Sequence, residues 1–259
     1  MSQSPEFARS QALTPWFRHV ESTASTNRDL LEAASDLSNW AVMVADLQTG
    51  GRGRSGRTWD APAASSLLAS VLIRPVGVAV TQFGWLPLIA GLSMVEAISG
   101  VTGSVRAGVK WPNDVLIRDH KVCGILSELL SDASGVVVGS GVNLFQTREQ
   151  LPIETATSLA LEGVELASAD ALLHLYLAAL QNNVAEFEAL GGELDGSDLL
   201  ARIRANCATI GRDVRVVLPN APDFHGVADD IDALGRLVVR GSSERLAVSA
   251  GDVVHLRHN

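Results

Sequence analysis

The sequence predicts an α/β fold of the α+β kind in two parts, and three observations carry that reading. Strand-like and helix-like patterns alternate through the first 208 residues, and five short alternating runs crowd the remainder. Hydrophobic residues make up 47% of the 259, enough for a substantial core. The expected domains are residues 1–208, an α/β unit, and residues 209–259, a small SH3-like β-barrel.

The elements follow in order. "FRHVES" predicts a strand and "TNRDLLEAASDL" a helix, with Ser25 or Thr26 as its cap and Leu30, Leu31 and Ala34 on its buried face. Ala41 to Asp46 predicts a short buried strand leading into a Gly/Arg loop. "SSLLASVLI" has the near-continuous apolar character of a central strand, and "WLPLIAGLSMVEAIS" predicts a buried helix. "DVLIRDHKVCGILSELL" reads as a hairpin turning at Arg118 to His120, and "GVVVGSGVNL" as the strand after it. A loop-rich stretch, Gln146 to Glu165, precedes helices at Ala169 to Leu190 and in "SDLLARIRANC". The five final strands are "DVRVVLP", "FHGVADDID", "RLVVRG", "RLAVSA" and "DVVHLRH", with turns at Pro219 to Asp223, Leu234 to Gly235 and Gly241 to Glu244.

Composition removes several function classes. A formal charge of −9 is the opposite of the basic footprint of a general nucleic-acid binder. "MSQSPEFARSQALTPW" has no apolar signal region, and no apolar run reads as long enough to span a bilayer, so a cytoplasmic protein with no membrane partner is expected. Cys123 and Cys207 are too few for a disulfide framework or zinc site, and none of the six histidines has metal-binding spacing. One asymmetry is sharper. Of 20 basic residues only two are lysines, Lys110 and Lys121, and both lie in one short segment. A GC-rich coding sequence explains why lysine is rare but not where the two remain. A site that needs a compact ammonium cannot drift freely to a planar guanidinium, so both are functional candidates.

"GGRGRSGRTW" carries glycines at 51, 53 and 56, the G-x-G-x-x-G spacing of a dinucleotide turn. The context rejects that reading, because Pro62 and small residues follow and no acidic residue occurs between Asp60 and Glu96. Arg52, Arg54 and Arg57 interleave the glycines, so the segment offers backbone N–H groups and guanidinium forks together, as a flexible clamp for an anionic ligand would. A solvated surface loop and a single-strand nucleic-acid contact are the competing readings. In "KWPNDVLIRDHKVCGIL", Pro112 places Asn113 and Asp114 at a strand entrance. The hairpin then sets Asp114 near Lys121, as a cleft pair or as an ordinary cross-strand ion pair.

"STN" (25–27), "GRGRSGRTW" (51–59), "KWPND" (110–114), "KVCGIL" (121–126) and "GSGVN" (139–143) occur in the order seen in biotin protein ligases, which the chain resembles along its whole length. The resemblance implies a mixed-sheet catalytic domain of the biotin/lipoyl ligase type before the β-domain. It also implies a two-step reaction: biotin and ATP give biotinoyl-AMP and pyrophosphate with Mg²⁺, and a carrier-protein lysine then attacks the anhydride. By the same resemblance Ser25, Thr26, Asn27 and Gln48 would hold the biotin head, and Gly51, Arg52 and Gly53 would close over it. Trp59 would cover the valeryl chain or hold the closed loop, and Gly124 would stay small beside that chain. Arg54 and Lys121 would supply charge to the reaction at both substrates. Arg57, Lys110, Asn113, Asp114 and Asn143 would serve ATP, with Asp114 touching Mg²⁺ or orienting the acceptor lysine. The implied partner is a biotin carboxyl carrier protein or domain, with the chain itself a monomer or weak homodimer. Only about 15 residues precede the first strand, so DNA repression through an N-terminal helix-turn-helix is not expected. Gly50 and Cys123 stand where the family often has alanine, and Cys123 reads as a small buried hydrophobe rather than a thiol nucleophile. Related lipoate ligases and a non-enzymatic nucleotide or RNA binder are the rival functions.

Overall fold

Apolar periodicity switches between two and 3.6 residues along the first two-thirds of the chain, and the secondary structure follows it. The structure is a computed structural model describing residues 5–103, 105–218, 222–249 and 251–256. After a short helix, α1 (Ala8–Gln11), come β1 (Trp16–Thr23), α2 (Thr26–Ala33), β2 (Ala41–Gln48), β3 (Ser66–Ile73) and α3 (Leu86–Thr102). Next are β4 (Ala107–Lys110), β5 (Asp114–Ile117), β6 (His120–Leu129), β7 (Val136–Asn143), α4 (Ala169–Ala189) and α5 (Asp198–Ala205). The last five strands are β8 (Asp213–Val217), β9 (Phe224–Ile231), β10 (Leu237–Arg240), β11 (Arg245–Val248) and β12 (Asp252–His255).

The first seven strands form one mixed sheet in the order β1-β2-β3-β7-β6-β5-β4, parallel only between β1 and β2. Strand β3 is buried along its whole length, and the two-residue period divides its side chains between two cores. Leu67, Ala69, Val71 and Ile73 join the main core with α3 and α4, whereas Leu72 packs with Leu30 of α2 in a smaller cluster on the other face. Ser70 lies on that second face, which puts a lone hydroxyl beside the start of α2.

The five-stranded antiparallel sheet, ordered β11-β10-β9-β8-β12, shares the main core through Val214, Val216, Ala228 and Val239. It is pinned by two indole donors, Trp85 Nε1 to the Ala233 carbonyl at 3.3 Å and Trp111 Nε1 to that of Gly235 at 2.9 Å. The edge of β4 is covered by the segment entering this sheet, with Val109 N–H on the Asn206 carbonyl at 2.7 Å and Ala208 N–H on the Val109 carbonyl at 2.8 Å. This docking brings β12 against the Gly/Arg loop.

Several expectations change in detail. Strand β4 is not anticipated by the sequence, because four residues containing Gly108 carry little strand signature. The helix expected to reach Leu37 ends as α-helix at Ala33 and finishes in a 3₁₀ turn, Ala34–Asp36. The hairpin turns on Arg118 and Asp119, both with positive φ (48° and 67°), rather than through His120. One segment, Val80–Thr102, does have the length and apolarity of a membrane span, contrary to the sequence reading, but 67% of its most apolar window is buried inside the protein. The turn expected at Pro219 to Asp223 falls partly outside the described residues.

Candidate functional site

The parallel pairing of β1 and β2 ends with Thr23 opposite Gln48, so the first turn of α2 rises beside Gln48. Ser25 caps the helix in an extended conformation. The Thr26 N–H and hydroxyl both point at Gln48 Oε1, at 2.8 and 3.0 Å. Ser70 Oγ donates to Asn27 Oδ1 at 2.6 Å and lies 2.7 Å from Thr26 Oγ1. Asn27 Nδ2 donates to the Leu126 carbonyl at 3.1 Å and to Glu128 at 2.8 Å. Its oxygen rests over Gly139, where a Cβ would lie 2.1 Å away. Within this network the Gln48 amide nitrogen donates to no described residue, and the Ser25 proton likewise has no described acceptor. Thr26 Oγ1 and Asn27 Oδ1 keep acceptor capacity. The pocket therefore offers both donors and acceptors to a ligand.

Gly51 to Trp59 folds on itself as a small loop, with Trp59 N–H on the Gly51 carbonyl at 2.9 Å and Gly53 N–H on that of Arg57 at 2.7 Å. A Cβ on Gly51 would lie 2.4 Å from the Trp59 carbonyl oxygen, so the closure requires glycine there. The Trp59 indole lies on Gly124 and Gly141, where Cβ atoms would come within 2.9 and 2.6 Å of the ring. Its buried Nε1 has no hydrogen-bond partner among the described residues. With the indole in this place the cavity beside Ser25, Gln48 and Gly139 holds only about 110 Å³, below the roughly 300 Å³ where small-molecule pockets begin.

Sequence reasoning left the loop arginines available to anions, but each has a protein partner. Arg52 pairs with Glu128 at 3.1 Å, Arg54 Nη1 donates to Asn113 Oδ1 at 3.1 Å, and Arg57 pairs with Asp252 of β12. The Arg57–Asp252 pair is exposed on both sides, so it contributes little to stability. Burial lowers the Arg54 pKa, opposed by Asp252 and Asp114.

Beyond Trp59 a cleft of about 1110 Å³ runs between the sheet and β12, lined by Lys110, Asp114, Lys121, Arg212 and His255. Cross-strand register sets Lys110 opposite Asp114 and Asp114 opposite Gly124. Lys121 Nζ reaches Asp114 Oδ1 at 2.6 Å while standing 5.5 Å from the Trp59 ring centroid. The Asp114–Lys121 proximity expected from the hairpin is thus present, and Lys121 lines both the cavity and the cleft. Burial lowers the Lys110 pKa, with Asp114 opposing and Lys121 reinforcing. Asn113 and Asn143 act as braces: Asn113 Nδ2 donates to the Ile125 carbonyl at 2.7 Å, and Asn143 Nδ2 to that of Thr157 at 2.9 Å. Burial raises the Cys123 thiol pKa far above neutrality, in keeping with a packing role. Among the described residues no three His, Cys, Asp or Glu side chains gather as a metal site.

His255 meets Thr209 Oγ1 at 3.0 Å, and burial, with Lys110 and Arg212 nearby, pulls its pKa down to about 4 from 6.5. A base whose folded pKa lies below its unfolded value is protonated first in the unfolded chain. Stability therefore falls as pH drops from 6.5 toward 4, by about 1–2 kcal/mol once solvent screening of a part-exposed ring is allowed for. His255→Asn is expected to flatten the decline of melting temperature across that window, and an unchanged slope would contradict a neutral His255.

Ser70, Glu128 and Asp252 belong to this site and escape the sequence reading. The hydroxyl inside the apolar run "SSLLASVLI" is the signal that points to Ser70. Glu128 and Asp252 have no local signal, because their partners lie 76 and 195 residues away.

Residues 17–143 match the biotin/lipoate A/B protein ligase family, and residues 209–256 match the biotin protein ligase C terminal domain. The chain is 39% identical over 242 residues to a biotin–[acetyl-CoA-carboxylase] ligase of Mycobacterium tuberculosis, covering 92% of this chain and 88% of the relative. It is 31% identical over 239 residues to the ligase of the same description from Paracoccus denitrificans, covering 89% and 97%. Among solved structures it resembles a biotin protein ligase from Aquifex aeolicus in complex with biotin and ATP, with a TM-score of 0.78 and 26% identity over 94% of this chain and 100% of the other.

Proposed function

The chain belongs to the biotin protein ligase family, and from that premise we propose that it activates biotin as biotinoyl-AMP and passes the biotinoyl group to a lysine of a biotin carboxyl carrier protein or domain of an acyl-CoA carboxylase. The observation that carries this reading is the position of Lys121. Its ammonium stands where a small pocket of mixed donors and acceptors opens into a cleft that carries Arg57, Lys110, Arg118 and Arg212 alongside four aspartates.

A ureido head needs an acceptor for each N–H and donors for its carbonyl, which suits Thr26, Asn27, Ser25 and Gln48. The backbone at Gly51, Arg52 and Gly53 closes over that head. Trp59 moves off Gly124 and Gly141 and covers the valeryl chain, which needs both glycines to lie flat on the sheet. The biotin carboxylate then meets Lys121. As its oxygen attacks the α-phosphorus and pyrophosphate leaves, negative charge gathers where Lys121 and Arg54 are fixed, and Lys110 and Arg57 receive the phosphates. Preorganised cations placed where charge develops do the electrostatic work of the step, and the apolar cover keeps water from the anhydride. Asn113 and Asn143 hold the walls of the nucleotide cleft. When the carrier amine attacks, AMP departs, and Asp114 is placed to orient the amine.

Mg²⁺ suits this donor set only as an ion brought by the nucleotide. Of the carboxylates along the pocket and cleft, Asp114 is paired with Lys121, Asp119 with Arg212 and Asp252 with Arg57, so phosphate oxygens would complete the ion's shell and the ion would neutralise their charge. The loop from Gln48 to Asp60 is expected to exchange its amide hydrogens at least tenfold more slowly with biotin and Mg-ATP than without. Equal rates would remove its gating role. The whole proposal is tested by incubating the protein with biotin, Mg-ATP and a biotin carboxyl carrier domain. Mass spectrometry should show one biotinoyl group on the carrier lysine, and an unmodified carrier across a range of such domains would reject it.

A further inference from the structure

Glu128, near the end of β6, is a mostly buried carboxylate with 24% of its side chain exposed. One oxygen accepts from Asn27 Nδ2 at 2.8 Å and the other from Arg52 Nη2 at 3.1 Å. These two donors come from opposite sides of the ligand pocket: Asn27 from its wall on α2, Arg52 from the loop that covers it. Resting on the biotin reading above, we propose that Glu128 is a positioning residue that couples recognition of the biotin head to closure of the loop.

The argument is one of hydrogen-bond direction. An ionised carboxylate only accepts, and so does the Leu126 carbonyl, so the Asn27 amide nitrogen must face both and its oxygen must face Ser70 and the cavity. A flipped amide would set its oxygen against two other oxygens and leave the Ser70 proton only Thr26 Oγ1 to turn to. Glu128 therefore fixes an acceptor toward the ligand. The same carboxylate holds Arg52, and with it the N-terminal arm of the Gly51–Trp59 loop. Loss of Glu128 frees the loop and leaves Asn27 held only by the Leu126 carbonyl and Ser70, whereas loss of the Arg52 side chain frees only the loop.

Calorimetric titration of biotin in the absence of ATP separates these effects. Glu128→Ala is expected to weaken biotin binding at least tenfold, and Arg52→Ala less than that. The isosteric Glu128→Gln, which can accept from Asn27 or Arg52 but must turn a donor toward the other, should fall between wild type and Glu128→Ala. It also serves as the test should the alanine variant not fold. The KM for ATP in pyrophosphate release should stay within twofold, because Glu128 lies at the biotin end of the site. Wild-type biotin affinity in both Glu128 variants would overturn the proposal, as would equal loss of biotin and ATP affinity with a lowered melting temperature, the mark of a merely structural role. A wild-type chain that binds no biotin would overturn the functional reading itself, and this inference with it.

Discussion

Lys121→Arg is expected to lower biotin-dependent pyrophosphate release by about a hundredfold, the scale of losing one preorganised charge at a reacting oxyanion. The ammonium is confined by Asp114 at 2.6 Å, by the Trp59 ring 5.5 Å away and by the surface over Gly124, where a Cβ would lie 3.1 Å from Nζ. A compact point charge fits between these neighbours. A planar guanidinium fork is broader than an ammonium and spreads its charge over three nitrogens, so beside Asp114 and Gly124 it presents that charge in another place. Arg106→Lys, at an exposed position just before β4, removes the same fork outside the site and should leave the rate unchanged. A Lys121→Arg enzyme with wild-type turnover would remove Lys121 from its assigned role.

The importance of Lys121 is legible in the sequence alone, since both lysines of an arginine-rich chain fall in one segment. The fold places them on β4 and β6, flanking the Asp114 strand. Central elements such as β3 are equally legible, since a strand buried on both faces has to be apolar nearly throughout. Two kinds of feature are not. Strand β4 is too short and too glycine-rich to show a period, and it exists because its neighbour β5 and the 206–208 segment pair with it. The partners of the loop arginines are also invisible in one dimension, because a charge pattern shows the cations but not the carboxylates and amides that meet them from β6, β12 and Asn113. The Gly/Arg loop thus reads from sequence as an open anion clamp, while in the structure its guanidinium groups latch it shut.

Gly139→Ala is the second large effect. A Cβ at this position would stand 2.1 Å from Asn27 Oδ1 and 2.8 Å from its Cγ, far inside contact distance. Asn27 cannot yield easily, because its amide is tied to Ser70, Leu126 and Glu128 together. Forcing an added methyl into such a site costs about 1–3 kcal/mol, and that cost carried into binding corresponds to biotin affinity weaker by roughly five- to 150-fold. The strain is local to the pocket face of β7. Far-ultraviolet circular dichroism should therefore stay at the wild-type spectrum while calorimetry records the loss. Unaltered biotin affinity would show that Asn27 is not part of the head pocket.

The central claim is that the protein makes an acyl-adenylate from biotin. It is tested most directly by pyrophosphate release from Mg-ATP with biotin, with lipoate or with no acid added, alongside mass spectrometry of the quenched mixture for the acyl-AMP. The account predicts release that depends on biotin, accompanied by biotinoyl-AMP, with lipoate at the level of the acid-free control. Release driven by lipoate, or silence with both acids, would contradict it.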